Sequence, residues 1–76
     1  MKILVIVKGK TGSGKALIEE SLLFNGFAFV EGNIEGYFNT LDKIVICCVQ
    51  PSNFLINLAK SKGFQVRIVT CEIVNQ

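Results

Sequence analysis

The chain has 76 residues, 50% of them apolar and 18% charged, with a formal net charge of +2 and no histidine. This is one domain, residues 1–76, near the lower size at which a core holds a fold without disulfides or metal. It is too apolar for disorder, and its net charge is too small to imply nucleic-acid binding. The lack of histidine excludes His-based triads and acid–base chemistry. The three cysteines, Cys47, Cys48 and Cys71, have no C-x-x-C spacing and make no zinc framework. They lie in apolar runs and read as buried structural thiols. No apolar run approaches the ~20 residues of a membrane span, and the start is too short for a secretory signal. A soluble, cytoplasmic protein with no membrane partner is the expectation.

In chain order, Lys2–Lys8 is an apolar run that predicts a first strand. A glycine-rich loop follows. Helical spacing then runs from Gly14 to Asn25, with Ile18 and Leu22 four apart and Leu17 and Phe24 seven apart. Glu19 stands at i+4 from Lys15, and Gly26 supplies the helix stop. Phe27–Val30 predicts a second strand ended by Glu31 and Gly32. Asn33 to Leu41 fits either a short helix capped by Asn33 and weakened by Gly36, or an irregular loop. Ile44–Val49, apolar on both faces, predicts a central strand covered by helices. Ser52 then caps a helix with Phe54, Leu55, Leu58 and Ala59 on its apolar face, closed by Gly63. Phe64–Val74 is the last predicted strand.

Strands alternating with helices favour right-handed crossovers and a parallel sheet. The expected fold is therefore α/β: a small two-layer or three-layer arrangement around four mostly parallel strands. A ferredoxin-like βαββαβ with an antiparallel sheet fits the same length, with Phe27–Glu31 and Ile44–Val49 as a hairpin. Two helices cover a sheet of this size thinly, which implies a homo-oligomer or a protein partner.

The residues that carry chemistry are Gly9-Lys10-Thr11-Gly12-Ser13-Gly14-Lys15-Ala16. The spacing G-x-x-x-x-G-K follows a buried-type strand and opens a helix, the context that turns successive backbone N–H groups around a phosphate. The helix N-terminus adds positive partial charge and Lys15 a full one, with Lys8 and Lys10 beside it. In these residues the chain resembles the P-loop nucleoside triphosphatase superfamily over Ile3 to Leu23. That resemblance implies a P-loop-like domain, ATP or GTP as ligand, and Lys15 with the Gly12, Ser13 and Gly14 amides as phosphate ligands. Thr11 and Ser13 hydroxyls would add contacts.

The chain departs from the pattern at Ala16, where a Ser or Thr would hold Mg²⁺, so Mg²⁺ binding is in doubt. Glu31, ending an apolar strand, is the candidate metal-supporting acid. Gln50, before Pro51, resembles the strand-end Gln of DNA-motor P-loop proteins, although a polar turn residue ahead of Pro51 and the Ser52 cap is the simpler reading. The sole arginine, Arg67, sits within a strand, where it makes no arginine finger. Without metal and charge stabilisation, phosphoryl transfer loses orders of magnitude of rate. The expectation is a small regulatory protein that binds a nucleotide or phosphate with little or no hydrolysis. Its size and eroded motif suit a phage accessory protein that inhibits a host system. A compressed NTPase or nucleotide kinase-like enzyme, and an interaction module that binds no nucleotide, are the alternatives.

Overall fold

The computed structural model describes residues 1–9, 20–23 and 25–71. Strand β1 is Ile3–Lys8, β2 is Ala28–Phe29, β3 is Lys43–Cys48 and β4 is Gln65–Thr70. They form one sheet in the order β2-β3-β1-β4, and every neighbouring pair is parallel. The chain is thus an α/β fold with an all-parallel sheet. The antiparallel ferredoxin-like alternative is overturned, because β2 and β3 run side by side and not as a hairpin. The long connection from Glu31 to Asp42 gives the chain room to return to the starting end before β3 begins.

β1 sits inside, with Ile3 opposite Lys43 on β3 and opposite Gln65 on β4. Both of its faces are covered, since Leu4, Val5, Ile6 and Val7 are all buried. The pleat separates them into two cores. Leu4 and Ile6 join Ile44, Ile46, Val30, Ile34, Phe38, Ala59 and Phe64 on one face. Val5 and Val7 join Val45 and Cys71 on the other, where Leu22, Phe27 and Val69 pack against them. Leu22 belongs to the helical residues 20–23, so the connection after β1 covers this second face.

Helix α1, Asn53–Ser61, covers the first face. Ser52 has extended backbone and its Oγ accepts from the Leu55 N–H at 3.4 Å, the capping that the sequence predicts. Gly63 ends the helix at φ +89, a left-handed conformation that side chains disfavour. The buried side of α1 differs from expectation at two residues, Phe54 and Ile56. Leu55, Ile56 and Leu58 pack on the core with Ala59 behind them, whereas Phe54 is 68% exposed. The apolar positions 54, 55, 56, 58 and 59 span more than one helix face, and the sheet selects the side centred on Leu55 and Ala59.

Other boundaries also shift. β2 shrinks to Ala28–Phe29, although the Val30 N–H still donates to Val45 O at 3.1 Å. The segment left open between loop and helix holds a single 3-10 turn, Glu35–Tyr37, with Asn33 Oδ1 accepting from the Glu35 N–H. Behind that turn Phe38 is fully buried, its ring 5.1 Å from that of Phe64. Gly26 takes φ +87 at the end of the first helix, as predicted from its stop signal. Most of the predicted helix from Gly14 to Asn25 and the last residues of the Phe64–Val74 run lie outside the described residues. Cys71 is a buried thiol as expected, while Cys47 and Cys48 are half-buried. Among the described residues no helix is long and apolar enough to cross a membrane.

Candidate functional site

All four strands point the same way, so their C-terminal ends share one edge of the sheet. Gly9 leaves β1 at that edge. It is buried, and its N–H donates to Cys48 O at 3.0 Å, adding one rung to the β1–β3 ladder beyond the strands. On the other side the Cys71 N–H donates to Lys8 O at 2.7 Å. The start of the glycine loop is therefore held by backbone bonds to both neighbouring strands. Lys10, Thr11, Gly12, Ser13, Gly14, Lys15 and Ala16 lie outside the described residues, so the geometry speaks to where the loop begins.

The two accessory candidates end on the same edge. Gln50 follows β3, the strand directly beside β1, and is exposed. Glu31 follows β2, which is separated from β1 by β3, and is exposed too. Neighbouring strands lie ~4.8 Å apart, so Gln50 departs one strand spacing from Gly9 and Glu31 about 10 Å away. A Gln side chain spans the shorter distance directly. Glu31 starts one strand further from Gly9 than Gln50 does.

The connections after β1 and β3 lie on opposite faces of the sheet. The chain leaves β1 over the Val5–Val7 face toward β2, and leaves β3 over the Leu4–Ile6 face toward β4. Crossovers that part to opposite faces and opposite sides leave a gap above the strand ends between them, the place where open α/β sheets bind ligands. The N-terminus of α1 opens onto the same edge, with no acidic residue in its first turn to oppose an anion.

A cleft of about 300 Å³ lies at the ends of β2 and β3 on the α1 side. Val30, Glu31, Ile34, Cys48 and Leu55 are among the residues that line it. Of these, sequence reasoning singled out only Glu31. No local pattern marks Ile34, Cys48 or Leu55 as neighbours; the strand order brings them together. Among the described residues, no three His, Cys, Asp or Glu side chains gather as a metal site. No protein-family model matches the chain, and no curated protein or solved structure resembles it significantly.

Proposed function

We propose that this protein binds a nucleotide or another phosphate-bearing ligand at the C-terminal edge of its sheet, with little or no hydrolysis. One observation carries the reading. The G-x-x-x-x-G-K loop leaves an interior parallel strand at the point where the crossovers diverge, with its first residue, Gly9, bonded to β3. Backbone amides of Gly12, Ser13 and Gly14 and the Lys15 ammonium would hold the phosphate, and Gln50, two residues past the end of the adjacent strand, would approach its distal end. ATP or GTP is the expected ligand. Ala16 supplies no hydroxyl for Mg²⁺, so binding should depend weakly on the metal, and the biological output would be regulatory.

A second reading, a compressed NTPase, rests on the position of Glu31 and Gln50 on the same edge as Gly9. Thermal unfolding against ATP, GTP and inorganic phosphate, with and without Mg²⁺, tests the first reading in wild type and Lys15→Ala. A ligand at ~100 times its Kd should stabilise by about 2.7 kcal/mol, a shift of several degrees for a domain this small. The shift should vanish in Lys15→Ala and change little when Mg²⁺ is withdrawn. No shift with any ligand would leave the glycine loop as a turn in an interaction module. Mg²⁺-dependent phosphate release that Lys15→Ala abolishes would favour the enzyme.

A further inference from the structure

The two edges of the sheet are unequal. β2 is two residues long and offers little to a neighbouring strand, which is one way that proteins protect an edge. β4 is six residues long, and among the described residues no strand lies outside it. Its inner side is spent on β1, since Gln65 donates to Lys2 O at 2.8 Å and Cys71 to Lys8 O at 2.7 Å. Backbone direction alternates along a strand, so the N–H and C=O groups of Val66, Ile68 and Thr70 point outward.

Burial falls away over the same strand. On the α1 face, Leu4 and Ile6 of β1 are fully buried, whereas Ile68, directly beside Ile6, is 47% exposed. An outward ladder and a half-covered isoleucine at its middle residue coincide at one position. From this we infer that β4 is a homodimer edge: two copies pair their β4 strands antiparallel about a two-fold axis at Ile68, joining two four-stranded sheets into one.

The register follows from matching bonds and charges. Centring the axis on Ile68 sets Ile68 opposite Ile68 of the second copy, and Val66 opposite Thr70. All three outward-facing residues of each strand then enter hydrogen-bonded pairs, and the two isoleucines cover one another on the α1 face. Arg67 falls opposite Val69, where its charge meets no like charge. Centring on Arg67 would oppose two guanidinium groups across a close pair, an arrangement that destabilises. Centring on Val69 would leave Val66 facing beyond the end of β4. A second copy is the natural occupant because an antiparallel edge is self-complementary and the pair closes. Stacking β4 on the two-residue β2 edge would neither close nor pair the full strand.

The contact is small, so association in the micromolar range is expected. Sedimentation of the wild-type chain between ~1 and ~100 µM should show a monomer–dimer equilibrium, and Ile68→Lys should shift it at least tenfold toward monomer. Circular dichroism of Ile68→Lys checks that this exposed substitution leaves the fold intact. Cysteine cross-linking reads the register. Hydrogen-bonded antiparallel partners sit ~5.5 Å apart at Cα, within disulfide range. Ile68→Cys should therefore form a covalent dimer under mild oxidation faster than Arg67→Cys, Val69→Cys or wild type with its own thiols. A wild-type monomer throughout the range overturns the proposal, and Arg67 would then be an edge guard. A dimer that survives Ile68→Lys, or that cross-links best at 67 or 69, overturns the interface or its register.

Discussion

β3 and β4 are both six residues long, both parallel to β1 and both in register with it along its whole length. Their burial could hardly differ more. Ile44, Val45 and Ile46 of β3 are buried, whereas no residue of β4 is. Backbone pairing is therefore not what makes a core strand. β3 has a strand on each side, α1 over one face and, on the other, a core on which Leu22 of the connection after β1 packs. Among the described residues β4 has one neighbour. The residues reflect this: an apolar run in β3, and Gln65, Arg67 and Thr70 interleaved with apolar residues in β4.

The sharpest way to break this contrast is one chemistry at two positions. Ile44→Ala should cost about 2–5 kcal/mol, through lost transfer energy and an uncollapsed cavity. Ile68→Ala, in protein dilute enough to be monomeric, should cost about 1 kcal/mol or less, because half of the side chain already meets water. Urea unfolding of both variants measures the difference; equal losses would mean that β4 is as much a core strand as β3. An intermediate effect is expected at the turn that delivers the chain into β4. A Cβ on Gly63 would touch nothing within 4 Å, but φ is +89, so Gly63→Ala should cost about 1–2 kcal/mol through the backbone alone. Gly36→Ala is its control, with equally open space and no positive φ, and should be neutral or slightly stabilising. The smallest effect concerns the helix that covers β3's face. Ser52→Ala removes a long cap bond of 3.4 Å and should cost about 0.5 kcal/mol, at the low end for caps, read as a small fall in the unfolding midpoint.

β1 and β3 were legible in the sequence because both of their faces are apolar, which only a covered interior strand needs. The placement of β3 beside β1, and so of Gln50 at the end of the neighbouring strand, does not follow from the alternation of strands and helices, which gives a parallel sheet but no strand order. β2 was overestimated because Phe27-Ala28-Phe29-Val30 is apolar for packing reasons, while only Ala28 and Phe29 keep full strand pairing with Ile44 and Val45. Phe54 was misplaced because five apolar residues in seven leave the helix period ambiguous. Leu55 is legible as a core-facing helix residue, but its meeting with Ile34 in the cleft is not, because it depends on a strand order that no short window contains. The glycine motif itself is pure sequence, and the fold contributes its address on the sheet.

The strand order has a consequence for how the molecule comes to exist. Ile3 must meet both Lys43 and Gln65, and no two adjacent strands are joined by a hairpin. Every rung of the sheet closes a long loop before any contact rewards it, which places such topologies among the slower folders for their size. During synthesis β1 emerges before both of its neighbours and waits with both edges open, one until β3 appears and the other until β4 does. The Val5–Val7 run is thus an aggregation hazard in the nascent chain, before it becomes the interior of the finished sheet.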